Sequence, residues 1–283
     1  MANMNFSEAV SMVTGAGGGM GRSIAESLAR RGGTVVVTDI ELTAAQETAD
    51  LIAAAGGTAV ACGLDVADAD AVAALADHIY SEYGHLDILV NNAGVTMRPF
   101  RAVWDATPKD FEWMMRINYF GVINGLLAFV PRMREQGTRG HIVNTSSFAT
   151  LDDVPGHGMY TASKAAVDGI STVLRAELKE QGDNIGVSIL YPGYVTTRIG
   201  TSERLRPEED RSDNREVKAY ERRNTDKAHN QPLAPEFVGE MVVRAIELDL
   251  PYVLTHPAPV EELEQRLTDW KAGYLGVLDP AAG

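Results

Sequence analysis

Short runs of Val, Ile, Leu and Ala recur along the chain at 9–13, 34–38, 58–62, 86–90, 141–145, 185–190 and 252–255. Each is strand length, and most are apolar at consecutive positions, as strands buried on both faces of a parallel sheet are. Longer segments with helical spacing lie between them. The segment 21–31 places Ile24, Ala25 and Leu28 on one face and stops at Gly32-Gly33; 42–55 stops at Gly56-Gly57; 68–83 stops at Gly84. The two longest run over 108–136 and 159–181. Strands alternating with helices predict right-handed βαβ units and a doubly wound, seven-stranded parallel sheet covered on both faces. No repeat, low-complexity tract or linker interrupts the pattern, so residues 1–283 read as one continuous domain.

The segment 198–231 breaks the alternation. It holds nine basic and eight acidic residues and few large apolar ones. Two readings fit: a solvated surface insertion, or a mobile lid over a site, since insertions at strand C-terminal ends often close over ligands. Residues 232–283 then form a C-terminal substrate or interface region.

Composition narrows the function. With 45% hydrophobic and 23% charged residues, the 283-residue chain can build a sizeable core. A net charge of -14 disfavours nucleic acid and anionic membrane surfaces as partners. Cys62 is the only cysteine, and the six histidines show no H-x-x-x-H spacing, so neither a disulfide nor a metal site is expected. No window approaches 18 uninterrupted apolar residues, and the first residues carry no signal-peptide pattern; the expected location is cytoplasmic.

Two motifs carry chemistry. Thr14-Gly15-Ala16-Gly17-Gly18-Gly19-Met20-Gly21 follows the first strand and opens the first helix. Glycines there permit a tight turn and close approach of the backbone to a pyrophosphate, and the helix N-terminus offers N–H groups to phosphate. The spacing is T-G-x-x-x-G-x-G rather than G-x-G-x-x-G. Asp39 closes the second strand 24 residues after Gly15, where a carboxylate can accept from the adenosine ribose hydroxyls. Ile40 follows it, and no Arg or Lys occupies the middle of the glycine turn, which favours NAD over NADP. The second motif is Tyr160-Thr161-Ala162-Ser163-Lys164, with Tyr160 and Lys164 one helical turn apart on one face. A nearby ammonium favours a phenolate and lowers its pKa. Ser147 lies 13 residues before Tyr160, at the end of the strand containing HIVNT.

Together these residues resemble the short-chain dehydrogenase/reductase family, compact single-domain type. The likeness spans about 7–197 and includes T-G-x-x-x-G-x-G, Asp39, Asp65-Val66, Asn91-Asn92-Ala93-Gly94, Asn118, Ser147, Tyr160, Lys164 and Pro192-Gly193-Tyr194-Val195-Thr196-Thr197. A finer likeness, in 118–132 and 202–207, is to bacterial dehydrogenases that oxidise the benzylic (Cα) alcohol of lignin-derived aryl ethers. Similar sequences also serve steroid and terpenoid alcohols. The resemblance implies an NAD-dependent oxidoreductase interconverting a secondary alcohol and a ketone on a bulky apolar or aromatic small molecule, in a homodimer or homotetramer.

The resemblance also implies roles. Tyr160 is the general acid/base, Lys164 lowers its pKa and bonds the nicotinamide ribose, Ser147 orients the substrate oxygen, and Asn118 holds a water for a proton relay. Gly15, Gly19, Met20 and Gly21 meet the pyrophosphate, and Asp39 the ribose. Asp65 and Val66 meet the adenine, and Asn92 and Gly94 the adenosine side. Pro192, Val195 and Thr197 complete the site around the carboxamide, while Asn91 bridges strands. Phe148, Leu151, Val154, Met159 and Tyr194 flank these residues and are either an apolar substrate wall or ordinary packing. His157 reads as a loop histidine at a pocket wall. Trp104, Trp113, Met114 and Met115 read as core or interface filling. Two other readings are a nucleotide-sugar epimerase or dehydratase, against which the glycine spacing and the short stretch after Thr197 argue, and a non-catalytic dinucleotide sensor, which typically lacks one of Ser, Tyr or Lys.

Overall fold

A computed structural model describes residues 4–211, 219–221 and 230–278. Seven strands, β1 (Val10–Thr14), β2 (Thr34–Asp39), β3 (Thr58–Gly63), β4 (Ile88–Asn91), β5 (Gly140–Thr145), β6 (Ile185–Tyr191) and β7 (Tyr252–Leu254), form one sheet in the order β3-β2-β1-β4-β5-β6-β7. Every ladder is parallel, so the expected doubly wound α/β fold is present. Strands β1, β4, β5 and β6 are buried at every position, which is why their sequences run apolar without alternation. Strand β3 alternates in exposure because it is an edge.

The helices are α1 (Gly19–Ala29), α2 (Leu42–Ala54), α3 (Ala69–Tyr83), α4 (Pro108–Met115), α5 (Gly121–Gln136), α6 (Gly158–Gln181), α7 (Glu236–Leu248) and α8 (Val260–Leu278). Local chemistry sets their ends. The Asp68 carboxylate accepts from Ala71 N–H at the start of α3, and Gly84, at φ 78°, closes it in the left-handed conformation. Thr107 and Asp110 form a reciprocal capping box on α4, with Pro108 in its first turn. Ile24, Leu28, Val242 and Ile246 from α1 and α7 fill one side of the sheet; Ile79, Phe129 and Val167 from α3, α5 and α6 fill the other.

Three features depart from the periodicity reading. The long helix over 108–136 is broken by a π-helical turn at Arg116–Phe120. Helices α7 and α8 carry no expectation from the pattern, although Val238, Val242, Val243 and Ile246 of α7 are fully buried, making it core. Trp104, expected as core or interface filling, is 81% exposed and so not core, whereas Trp113 and Met114 are buried.

The 198–231 segment also differs from expectation. Residues 212–218 and 222–229 of the lid reading lie outside the described residues. The described part forms short 3-10 turns at Arg198–Leu205 and Glu208–Asp210 and is firmly tied down. Arg206, only 3% exposed, donates to Asp110 Oδ1 at 2.7 Å, and its guanidinium lies 4.9 Å from the Trp113 ring. Arg116 pairs with Asp210, and Arg204 with Glu41 at 2.7 Å. The charges that read as solvated are, at Arg206, a buried anchor. Helix Pro108–Gln136 is, among the described residues, the one helix long and apolar enough to cross a membrane; half of that window is buried inside the fold.

Candidate active site

Sheet order reverses between β1 and β4, so the loops after these strands part and leave a groove at their C-terminal ends, where open α/β sheets take ligands. Counted with the solvent space at its open mouth, the groove spans about 1140 Å³. Ten of the residues expected to hold the cofactor line it: Gly15, Gly19, Met20, Gly21, Asp39, Asp65, Val66, Asn92, Gly94 and Thr197. Two do not. Pro192 is buried and accepts from Phe148 N–H through its carbonyl, and Val195 packs into the core while its strand bridges Leu233.

The glycine turn is built by close approach. Gly15 has φ +61°, and a Cβ there would lie 2.8 Å from Ala93 Cα; a Cβ on Gly21 would lie 2.2 Å from Gly15 O. Only glycine fits between β1, α1 and the β4 loop. The first turn of α1 has no side-chain cap, so its N–H groups stay open to a phosphate. Thr14 Oγ1 accepts from the Asn92 and Ala93 N–H groups, and Asn92 Nδ2 donates to Thr14 O, which pins the β4 loop against the turn. Asn92 Oδ1 is buried there with no partner among the described residues. The Asp39 carboxylate accepts from Gly17 N–H at 2.9 Å and Glu41 N–H at 3.0 Å and faces the groove. These are the donors and acceptors a dinucleotide needs, so the residues fit one.

Behind Gly94 stand the residues expected to react. Lys164, 2% exposed, donates to Thr145 O at 2.8 Å, and its ammonium lies 5.9 Å from the centre of the Tyr160 ring. Burial lowers the Lys164 pKa to about 8, opposed by the nearby Asp168 carboxylate. Burial pushes the Tyr160 phenol above its usual range, opposed by a hydrogen bond with the Ser147 side chain. The lowering expected from Lys164 is not among the causes: loss of water around the phenol dominates, and the opposing contribution comes from Ser147. A Cβ on Gly94 would meet Asn118 Oδ1 at 3.2 Å and Lys164 Nζ at 3.3 Å, so glycine leaves this corner open.

Asn118 sits on the π-helical turn, fully buried. Its amide is engaged: Oδ1 accepts from Val95 N–H at 2.8 Å, and Nδ2 donates to Val95 O at 3.0 Å and Ser163 Oγ at 2.9 Å. Its side chain therefore ties the β4 loop to the catalytic helix. The relay role expected of it would have to use the remaining capacity of Oδ1 or its backbone. Asn91 Nδ2 donates to Asn144 Oδ1 at 2.9 Å and joins β4 to β5.

The five substrate-wall candidates separate, Val154 being half-buried with its carbonyl accepting from His157 N–H. Phe148 and Leu151 pack with Ile189 and Tyr191, Met159 packs with Trp113 and Met114 beside Tyr160, and Tyr194 is 51% exposed. His157 stacks edge-on against Phe100 at 4.2 Å and lies 5.4 Å from the Tyr160 ring. Residues that the sequence reading missed include Glu41, Arg198 and Arg204 at the groove rim. Their charges gave no local signal, because the pairs that hold them span more than 150 positions. No group of three or more His, Cys, Asp or Glu side chains suited to a metal occurs among the described residues.

Residues 9–208 match the family model described as short chain dehydrogenase. A probable oxidoreductase, EphD, of Mycobacterium tuberculosis is 41% identical over 194 residues, which is 69% of this chain but 32% of that protein. The chain therefore spans about a third of the length of that relative. A C alpha-dehydrogenase of a Sphingobium species is 31% identical over 92% of this chain and 85% of its own. Among solved structures, a short chain dehydrogenase/reductase from Burkholderia phymatum in complex with NAD superposes with a TM-score of 0.85 at 33% identity, covering 95% of this chain and 96% of that one. A metagenomic short-chain oxidoreductase in complex with NADP gives a TM-score of 0.70 at 29% identity, covering 89% and 99%.

Proposed function

The chain belongs to the short-chain dehydrogenase family, and from that premise we propose that it interconverts a secondary alcohol and a ketone with NAD, on a bulky apolar or aromatic small molecule. The observation that carries this reading is that Ser147, Tyr160 and Lys164 come together, with Ser147 bonded to the Tyr160 phenol and the Lys164 ammonium 5.9 Å from the Tyr160 ring, next to Gly94 of the groove, where an added Cβ would meet Lys164 Nζ at 3.3 Å.

In this reading NAD, when bound, supplies the hydride acceptor, and the chain supplies everything else. The Ser147 hydroxyl donates to the substrate oxygen and holds it against the phenol. Tyr160 Oη takes the hydroxyl proton during oxidation and returns it during reduction. The Lys164 ammonium favours the phenolate form, and the Thr145 carbonyl fixes where that ammonium sits. Thr197, Asp39 and the open N–H groups of α1 hold the dinucleotide along the groove, and 198–207 roofs it through Arg198, Ile199, Ser202 and Leu205. Exposed Leu127 on α5 and Val173 on α6 support assembly into a homodimer or homotetramer. A cytoplasmic location belongs to the same proposal. The C alpha-dehydrogenase relative points to benzylic alcohols as the first substrates to try. Absorbance of NADH during incubation with NAD and a panel of secondary benzylic alcohols tests the proposal. Turnover of at least one member is expected; failure across alcohols and ketones in both directions would overturn it.

A further inference from the structure

Helix α8 starts on the body of the fold and runs off it. Arg266 holds its first half: Nη1 donates to Thr150 O at 3.3 Å, and Nη2 lies 3.4 Å from Asp153 Oδ1. From Leu267 to Tyr274 every residue is exposed, and a Cβ built on Gly273 would meet nothing within 4 Å. Yet this stretch is not polar. Trp270 and Tyr274 are each 68% exposed, and Leu267 is 48% exposed. Large apolar side chains gathered on a projecting helix mark a contact surface. The stretch is also poorly suited to stand alone in water. Isolated helices of this length are marginal, and Gly273 and Gly276 weaken it further.

The spacing says which partner fits. Val260, Leu263, Leu267, Trp270 and Tyr274 follow one another in steps of three, four, three and four, which are the a and d positions of a heptad. Glu264 and Lys271 then fall at successive e positions, and Arg266 falls at g. Charges at e and g set the orientation of a helix pair. In a parallel pair g faces the e position of the next heptad, so Arg266 would meet the partner's Lys271, a like charge. In an antiparallel pair e faces e, so Glu264 meets the partner's Lys271, and Lys271 meets the partner's Glu264. The same register sets Leu267 against the partner's Trp270 and Leu263 against the partner's Tyr274. The helix is therefore complementary to itself in one orientation, and its g flank, at Arg266, is the one already taken by the body of the fold.

We propose that this face of α8 is a docking surface for a second copy of the chain, packed antiparallel about a two-fold axis that passes between Thr268 and Asp269. A two-fold contact uses the same patch on both copies, which is what the self-complementary charges supply. The surface is separate from α5 and α6, so the inference goes beyond the assembly reading above and does not depend on it. Where both contacts form, two two-fold interfaces close a tetramer. The contact also reaches toward the site, because Arg266 ties α8 to Thr150 and Asp153, just after Ser147.

Sedimentation equilibrium on the full chain tests it, with Leu127→Glu as the background so that any α5–α6 contact is removed. Leu127→Glu is expected to be a dimer at micromolar concentration. Leu127→Glu with Trp270→Glu is expected to be a monomer, folded by circular dichroism. Two further variants test the register. In the same background, Glu264→Lys or Lys271→Glu turns both attractive pairs into repulsive ones and should weaken association about tenfold. Mixing these two variants one to one should restore it, because unlike charges then face each other again. A monomeric Leu127→Glu chain would overturn the proposal, and so would a dimer that Trp270→Glu leaves intact. A dimer lost with Trp270→Glu but indifferent to both charge reversals would overturn the antiparallel pairing. If Leu127→Glu keeps the wild-type mass while Trp270→Glu lowers it, the α5–α6 contact falls and the α8 contact stands.

Discussion

The Lys164 ammonium hangs from the Thr145 carbonyl by a 2.8 Å hydrogen bond, so the last residue of β5 decides where the charge beside Tyr160 sits. Strand and helix are thereby locked at the point of chemistry. Burial holds the Lys164 pKa near 8, against 10.5 in water. In the folded chain without cofactor the lysine therefore releases its proton at lower pH than in the unfolded chain. Below about pH 8 both states carry the proton, and the burial penalty is constant. Between 8 and 10.5 the unfolded state binds more protons, so this group makes stability rise with pH. Lys164→Met removes the effect. The free-energy difference between variant and wild type should move by ~2 kcal/mol in favour of the wild type from pH 7 to pH 10. Urea denaturation at several pH values measures it, and a constant difference would show that the ammonium is well solvated.

Tyr160→Phe keeps the ring and removes the transferable proton. Because general acid/base groups contribute about 10²–10⁴-fold, kcat should fall by at least that range. NAD affinity by fluorescence titration should change little. Near-wild-type turnover would remove Tyr160 from the proton step.

The described part of the 198–231 segment should resist proteolysis despite its charges. Arg206 is buried on Asp110 and Arg204 is paired with Glu41, so native trypsin digestion should spare the Arg204–Leu205 bond while cutting at exposed Arg211. Arg206→Met leaves the fully buried Asp110 with one guanidinium instead of two. Losing one partner of a buried pair costs about 3–5 kcal/mol, which denaturant unfolding would register. Rapid native cleavage after Arg204 would restore the mobile-lid reading for this stretch.

Leu127 and Val173 project apolar side chains from α5 and α6, at 71% and 50% exposure. If these helices form the subunit contact, Leu127→Glu places a charge in an apolar seam, and burying an unpaired charge is expensive. Light scattering should show an oligomer for the wild type and a lower-order species for the variant. A monomeric wild type at micromolar concentration would end the assembly proposal.

The sheet was legible because strands buried on both faces run apolar without interruption, and Val35 to Val37 or Ile88 to Val90 need no partner to be recognised. The catalytic spacing was legible because Tyr160 and Lys164 lie on one helix and Ser147 just beyond one strand. The pinning of 198–211 was not, because a charge paired 96 residues away looks the same in sequence as a charge in water. The π-helical turn at Asn118 was hidden for a related reason: it follows from bonds to Val95 and Ser163, which no local period reports. Helix α7 holds a stripe, Val238, Val242 and Ile246, that the pattern reading passed over, and its packing against α1 makes it core.

Cofactor choice rests on two carboxylates that the fold treats differently. Asp39 is fixed by the Gly17 and Glu41 N–H groups at the groove wall, and each of its oxygens keeps capacity to accept from a ribose hydroxyl. A 2′-phosphate there would meet a like charge. Sequence alone placed no cation nearby, but the structure brings two: Arg204 at 2.7 Å and Arg198 at 3.9 Å from Glu41, all three lining the same groove. Glu41 holds these guanidinium groups in ion pairs and so keeps them from serving a phosphate. A lost charge-assisted bond, at about 1.5–3 kcal/mol, plus repulsion gives the wild type a preference for NAD on the order of 100-fold in kcat/KM, since about 1.4 kcal/mol is tenfold. Asp39→Ala should narrow that gap by weakening NAD. Glu41→Gln should narrow it from the other side, by freeing Arg198 and Arg204 to improve NADP. Asp39→Ala with Ile40→Arg should reverse the preference, because guanidinium binds phosphate in a bidentate geometry. Calorimetric affinities for both dinucleotides, beside kcat/KM, separate binding from turnover. If Glu41→Gln leaves NADP affinity unchanged, the arginines do not reach the ribose. If the wild type prefers NADP, Asp39 does not hold the ribose, and the choice of NAD falls.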